Sequence, residues 1–238
     1  MHRLASNDLS DVVILSKEAS RHLNVLRPKP GEIVELFDGK GSVRPYKVEN
    51  AKAPLKAAGE TRHVPAPAKR ITLFACVTKG SRWDWTIEKC VELGVARIVP
   101  VISDRCIVRL KDGEKEAKAE RWRRVAEDAA RQSDAAWMPE VATPVDFKEA
   151  LAIADDCDCL FAGALVEPPP KPLLSELAER RNEKSFGIFV GPEGDFTPEE
   201  MESLLEKAIP VSFGPTILRA ETAAIFGVSV LAAAVHQQ

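Results

Sequence analysis

The chain has 238 residues, 45% of them hydrophobic and 29% charged, and a formal net charge of −3. That is enough chain for one large domain or two modest ones around a real core, and the composition is ordinary for a soluble protein rather than a strongly basic one. The average hides a division: residues 1–70 carry 13 Lys+Arg against 8 Asp+Glu, and residues 71–238 carry 20 against 28. A small basic part joined to a larger acidic one suits an enzyme that holds a polyanion with its N-terminal region, the alternative being a charge fluctuation without meaning.

The opening "MHRLASNDLS" has no apolar core of the secretory kind. Over the first 65 or so residues, "VVIL", "EIVELF" and "YKVEN", broken by turn chemistry such as "DGKG" at 38–41, read as strands of a small barrel. Ser16 is placed to cap a helix with Ala19, Leu23 and Leu26 on one face and "RHLNVLR" along its exposed side. "HVPAPAK" at 63–69, with Pro65 and Pro67, is a stiff connector, giving domains at 1–68 and 69–238.

From Arg70 onward strands alternate with helices. The apolar runs 71–77, 96–101, 159–165, 185–190 and 209–214 are of buried-strand type, and helical segments at 82–94, 114–133, 146–154, 173–181, 197–208 and 220–238 separate or follow them, Trp122 turning inward from the second. The pattern predicts an α/β fold with a mostly parallel sheet, helices on both faces, and ligands at the carboxyl ends of the strands. The apolar run Ala223–Val235 falls short of the roughly 20 residues of a membrane span and reads as a buried helix. Five cysteines without a CxxC or a histidine at ligand spacing imply reduced core thiols in a cytoplasmic protein and no metal.

Two corners stand out. "FGIFV" runs into Gly191-Pro192-Glu193-Gly194, after which Thr197, Pro198 and Glu200 occupy the cap, first and third positions of a helix. "VSFG" runs into Pro215 and then "ILRAETAA", which puts Arg219 and Glu221 at the mouth of an apolar helix. Glycines there leave amides open to a ligand. Each corner also has a purely structural reading, as a tight strand-to-helix turn and as an ion pair closing a helix start. The lack of GxGxxG after a strand and of GxxxxGK[ST] disfavours a Rossmann-type dinucleotide site and a P-loop.

"GPEGDF" followed by "FGPTILRAETAA" resembles the C-terminal signature of the bacterial small-subunit ribosomal RNA uridine N3-methyltransferases, the RsmE family of the SPOUT superfamily. "TKGSRWDWTIEKCVELGVARIVPVISDRC", "DAARQS" with Pro139, and "RHLNVLR" with "GEIVELFDGKG" resemble further segments of the family in the same order. The resemblance implies a small PUA-like β-barrel followed by a SPOUT-type parallel sheet with a deep trefoil knot, whose rigid loops form an S-adenosylmethionine pocket. It also implies a homodimer acting on ribosomal RNA, which it is expected to meet in the assembled small subunit, with no membrane and no metal. Carried over by position, the cofactor pocket takes Leu165 and Glu167 from one loop, Gly191, Pro192, Glu193 and Gly194 from the next, and Phe213, Gly214, Ile217, Leu218, Arg219 and Ala223 from the last.

Methyl transfer to N3 of uracil requires loss of the N3 proton, and charge then spreads onto O2 and O4. Arg219 is the candidate to stabilise that charge, and Glu221 either orients Arg219 or takes the proton. Arg3, Arg21, His22, Arg27 and Lys47 are expected phosphate contacts, with Lys79, Arg82 and Arg105 extending their surface. Three positions depart from the family pattern: Asp195 in place of a second glycine after GPEG, Thr216 in place of an arginine, and Asp134-Ala135 in place of Gly-Arg. Arg131 or a partner subunit is the expected source of the missing positive charge. Other targets for a knotted methyltransferase, a ribose 2′-hydroxyl or another base, and a non-catalytic RNA-binding assembly factor remain alternatives.

Overall fold

The structure, a computed structural model, describes residues 2–50, 53–180 and 182–235. The last residue of the helix expected over 173–181, and the last three of the one expected to Gln238, lie outside the described residues. The chain forms two compact units, one made by the sequence up to Pro67 together with Glu127–Met138, the other by Ala68–Ala126 and the chain from Pro139 onward.

In the first unit the elements are β1 (His2–Ala5), β2 (Val12–Val13), α1 (Lys17–Leu26), β3 (Ile33–Phe37), β4 (Ser42–Lys47), β5 (Leu55–Ala57) and β6 (Arg62–His63). They make a six-stranded sheet in the order β1-β3-β4-β5-β2, with β6 on β4. β1 runs parallel to β3 and the other pairings are antiparallel. Ser16 caps α1 as its position predicts, its Oγ accepting from the Ala19 amide at 3.1 Å. Leu23 from α1 joins Leu4, Val34, Leu36, Tyr46 and Leu55 in a fully buried core. Residues 127–138, read from sequence as part of the second domain, pack here instead. Ala136 and Met138 sit against Phe37 and Val43, and the Gly41 amide donates to the Ala136 carbonyl at 3.0 Å. Gly41 is required: its φ is +95, and a Cβ would lie 2.5 Å from the Val64 carbonyl oxygen.

In the second unit β7 (Arg70–Cys76), α2 (Ser81–Glu92), β8 (Arg97–Ile102) and α3 (Asp112–Gln132, which crosses into the first unit at Glu127) lead to the short β9 (Glu140–Val141) and β10 (Val145–Asp146). Then follow α4 (Phe147–Ile153), β11 (Cys159–Gly163), α5 (Leu173–Ala178), β12 (Ser185–Val190), α6 (Pro198–Leu205), β13 (Ile209–Val211) and α7 (Ala220–Val235). The sheet order is β10-β8-β7-β12-β11-β13 with β9 beside β8, and all its pairings are parallel. This is the α/β arrangement the alternation predicts. β12 is apolar on both faces because both are covered: Phe186 through Val190 are buried, and Phe189 stacks on Phe74 at 4.6 Å. Trp122 turns inward as expected, 3% exposed, and meets Trp83 edge-on at 5.6 Å. α7, apolar nearly all round, packs against α2, α5, β7 and β12.

Four cysteines are buried and Cys157 is partly buried. Burial pushes the Cys90 thiol up to about 12 and the Cys159 thiol up to about 11. No helix of the described residues is long and apolar enough to cross a membrane.

Gly187 sits in the middle of β12, where a Cβ would lie 2.5 Å from Leu160 Cδ1 and 2.9 Å from Cys157 Sγ. Gly187→Ala overpacks a site closed on both faces and is expected to cost about 1–3 kcal/mol, read as a lower denaturant midpoint at unchanged slope.

Candidate functional site

β12, β11 and β13 lie side by side in parallel register, so their carboxyl ends at Val190, Gly163 and Val211 open on one edge of the sheet. The loops that leave them converge on a cavity of about 310 Å³. Its walls are Gly163–Leu165 from the first loop, Val190–Glu193 with Asp195 from the second, and Val211–Gly214, Thr216–Ala220 and Ala223 from the third.

Local chemistry fixes each loop. The helix after the second corner begins with a full capping box: the Glu200 amide donates to Thr197 Oγ1 at 3.1 Å and the Thr197 amide donates to Glu200 Oε2 at 2.9 Å. Ahead of it the chain folds back in a turn, the Asp195 amide donating to the Pro192 carbonyl at 2.9 Å, with Asp195 left-handed at φ +58. In the third corner Gly214 has φ +131, open only to glycine, and its amide donates to Ser212 Oγ at 3.2 Å. The Phe213 ring lies against Gly163 so closely that a Cβ there would be 2.4 Å from it.

The expected pocket residues Leu165, Gly191, Pro192, Glu193, Phe213, Gly214, Ile217, Leu218, Arg219 and Ala223 all line this cavity. Two do not. Glu167 lies beyond the first loop's contribution, and Gly194 faces away, where a Cβ would meet the Arg105 side chain at 3.7 Å. The turn at Asp195 is the reason, since it brings residue 195 back to the wall in place of 194. Gly163, Ala164, Val190, Val211, Ser212, Asp195, Thr216 and Ala220 line the cavity unannounced. Several of these are strand-end positions next to the corners, and that adjacency is the signal in the sequence that could have found them.

Arg219 is exposed at the rim. Glu221 is 6% exposed, does not line the cavity, and its Oε2 has no hydrogen-bond partner. No ion pair joins it to Arg219 among the described residues, so the reading of the two as a closing ion pair does not hold. The wall carries the carboxylates of Glu193 and Asp195 among small and apolar groups.

The expected phosphate contacts divide. Arg21, Arg27, Lys47 and Lys79 are exposed. His22 is partly buried, and desolvation, with Arg131 and His2 nearby, lowers its pKa below the usual value. Arg3 is a correction. It is 8% exposed, bonds Glu35 Oε2 through Nη2 at 2.6 Å, and donates from Nη1 to the carbonyls of Asp134 and, at 3.2 Å, Ala135. A guanidinium so enclosed is structural. Arg82 pairs with Glu193 on the cavity wall at 3.3 Å, and Arg105 donates to the Gly194 and Phe196 carbonyls at 2.9 and 3.1 Å. Arg131 does not replace the missing positive charge: its side chain is 10% exposed and pairs with Glu127 and Asp128 of its own helix. Asp134, like Asp195, is left-handed, at φ +55.

Residues 65–232 match the family model described as an RNA methyltransferase domain, and residues 15–54 match one described as an RNA methyltransferase PUA domain. Curated relatives named ribosomal RNA small subunit methyltransferase E include one from Mycobacterium bovis, 30% identical over 91% of this chain and 84% of its own, and one from Bacillus subtilis, 27% identical over 92% and 88%. A third, from Synechocystis, is 30% identical over 84% of this chain, and the match spans 65% of that relative's length. Among solved structures, a Legionella pneumophila protein described as a methyltransferase in complex with S-adenosylmethionine superposes with a TM-score of 0.88 at 28% identity, covering 98% of this chain and 97% of that one. A ribosomal RNA small subunit methyltransferase E from Neisseria gonorrhoeae, bound to S-adenosylmethionine, gives 0.83 at 31% identity over 97% and 96%.

Arg3→Ala leaves the Glu35 carboxylate, 18% exposed, without its closest cation. The expected cost is about 3 kcal/mol of folding stability, with no change in the salt dependence of RNA binding; chemical denaturation and a salt titration of RNA affinity check the two halves.

Proposed function

From its membership of the ribosomal RNA small subunit methyltransferase E family, to which the chain belongs, we propose that it transfers a methyl group from S-adenosylmethionine to N3 of a uridine in small-subunit ribosomal RNA. The observation that carries this reading is the cavity where three parallel strands end, with Arg219 at its rim.

The residues present fit the cofactor. Gly163, Ala164, Gly191, Gly214, Ala220 and Ala223 leave room and exposed backbone for a flat base, and Leu165, Ile217 and Leu218 supply apolar walls. A cavity of about 310 Å³ is of the size that encloses a small ligand. The carboxylates of Glu193 and Asp195 suit a ligand bearing a sulfonium and an ammonium. When bound, the cofactor supplies an electrophilic methyl group.

The protein's part is then to hold the uracil ring edge-on to that methyl, to shed the N3 proton and to stabilise the anion. Arg219, free of any carboxylate partner among the described residues and exposed on the rim, directs its guanidinium at the uracil oxygens. Of the two roles open to Glu221, orienting Arg219 has no ion pair behind it, and proton acceptance by its unpartnered Oε2 requires a relay from the cavity, which Glu221 does not itself line.

Several finer features belong to the same reading. β13 pairs at the sheet's outer edge while α7 packs against α2, β7 and β12 nearer its middle, so the segment 212–219 has to cross back over the strand ends. That return supports a trefoil knot of SPOUT type. The first unit serves as the PUA-like RNA-holding domain, over 1–68 together with the returning segment 127–138. The working form is a cytoplasmic homodimer acting on the small ribosomal subunit, for which the exposed apolar Trp85, Ile217 and Phe226 are suitable contact residues.

Calorimetric titration with S-adenosylmethionine tests the pocket, with Thr216→Trp as the blocked form because Thr216 is an exposed rim residue. Binding by the wild type that Thr216→Trp abolishes is expected; a folded wild type that does not bind would sink the reading. Arg219→Ala is expected to lower kcat on small subunits by about 100-fold, and Glu221→Gln to lower kcat while cofactor affinity stays unchanged. Mass spectrometry of the nucleosides then reads the product: 3-methyluridine is expected, and a 2′-O-methyl nucleoside would reassign the target atom.

A further inference from the structure

We propose that Arg105 is a positioning residue that sets the shape of the methyl-donor cavity from outside it, a proposal that rests on the reading of that cavity as the S-adenosylmethionine site. Arg105 follows β8 and does not line the cavity. Its Nη1 donates to the Gly194 carbonyl at 2.9 Å, in the peptide that enters Asp195, and to the Phe196 carbonyl at 3.1 Å, one peptide beyond the one that leaves it. Asp195 does line the cavity, and it holds φ +58, a conformation that is costly for a residue with a Cβ. Its own Oδ1 accepts from the Phe196 amide at 2.8 Å, which steadies the turn from within. Rotation of the Gly194–Asp195 peptide would release Asp195 to the ordinary side of the backbone map and withdraw it from the wall. A cation bonded to the Gly194 carbonyl blocks that rotation, and its bond to the Phe196 carbonyl fixes the far side of the turn, both through hydrogen bonds strengthened by charge.

The platform that carries Arg105 is itself fixed. Arg109 donates to the carbonyls of Ser103, at 3.1 Å, and Asp104, and the Cys106 amide donates to the Ser103 carbonyl at 3.1 Å. Glu200, 9% exposed, ties the same platform to the helix beyond the turn: its Oε1 accepts from the Asp104 amide at 2.9 Å while its Oε2 accepts from the Thr197 amide. The loop after β8 thus grips residues 194–200 at both ends of the turn. An arginine whose charge and position suggest an RNA contact is occupied by the cofactor loop.

The test compares wild type, Arg105→Ala, Arg105→Lys, Asp195→Gly and the Arg105→Ala/Asp195→Gly double variant. S-adenosylmethionine Kd is measured by calorimetry, and small-subunit affinity is measured across a salt series. A positioning role predicts that Arg105→Ala raises the cofactor Kd by about tenfold and leaves the slope of RNA affinity against salt unchanged. Lysine restores only part, because both bonds come from one nitrogen of a planar guanidinium, whereas an ammonium is more strongly hydrated and ends a flexible stem that does not fix its donors. In the Asp195→Gly background the effect of Arg105→Ala shrinks, since glycine takes a positive φ unaided. An unchanged cofactor Kd in Arg105→Ala overturns the proposal. A salt slope reduced by about one with cofactor affinity intact also overturns it, in favour of a phosphate contact. A wild type that fails to bind S-adenosylmethionine overturns the cavity reading itself, before Arg105 is at issue.

Discussion

The pairing of β12 with β7 on one edge and β11 on the other is the constraint from which the second unit follows. A strand paired in parallel on both edges needs cover on both faces, and that need explains the apolar run from Phe186 to Val190 and the helices around it. It also fixes direction. Because β11, β12 and β13 point the same way and end near one another, three loops must leave the sheet from one edge, and the cavity lies among them. Where the strand crowds its neighbours, glycine takes the place of a side chain: Gly187 under Leu160, and Gly163 beneath the Phe213 ring.

Charge along the sequence is a poor guide to what each arginine touches. Arg3, Arg82, Arg105 and Arg131 share a sign that suggests polyanion binding, yet each has a protein partner: Glu35, Glu193, the carbonyls of Gly194 and Phe196, and Glu127 with Asp128. A guanidinium carries several donors in a rigid plane, so it bridges carbonyls and carboxylates brought together by folding. Those acceptors lie up to 131 residues away, as with Arg3 and Asp134, and no local pattern announces them. Arg21, Arg27, Lys47 and Lys79 remain exposed, the last of them ahead of α2 and the others in the first unit.

What could be read in advance was whatever local chemistry decides. The Thr197-Pro198-Glu200 start of α6 and the Ser16 cap of α1 formed as read because capping depends on residues three positions apart. The alternation after Arg70 gave the α/β class because buried strands and amphipathic helices differ in period. What escaped depends on distant pairing. β1 is a four-residue strand whose partner, β3, begins some thirty residues later and runs parallel to it. Residues 127–132 end the same helix that begins in the second unit and 133–138 follow it directly, and contacts with distant residues such as Arg3, Phe37, Gly39 and Val43 assign the segment to the first unit. At the site, GPEG is visible as a motif, but which of its residues faces the cavity is settled by the turn at Asp195, a residue whose type alone does not foretell a positive φ.

The same turn bears on why such a cavity carries so little side-chain signature. Six of its eighteen lining residues are glycine or alanine, and Leu165, Val190, Val211, Ile217 and Leu218 are aliphatic. Backbone donors and acceptors recognise a ligand only where the chain is held still, so the requirement passes from residues that touch the ligand to residues that hold the loops. In this structure those are Glu200, bonded to both Asp104 and Thr197, the Ser212 hydroxyl under Gly214, and Arg105 across the turn. None of these contacts is part of the cavity wall that a search for binding side chains would examine, except through Ser212. A substitution at Glu200 or Arg105 therefore acts on the ligand through geometry, and a cavity of this kind is better defined by what restrains its loops than by what lines it.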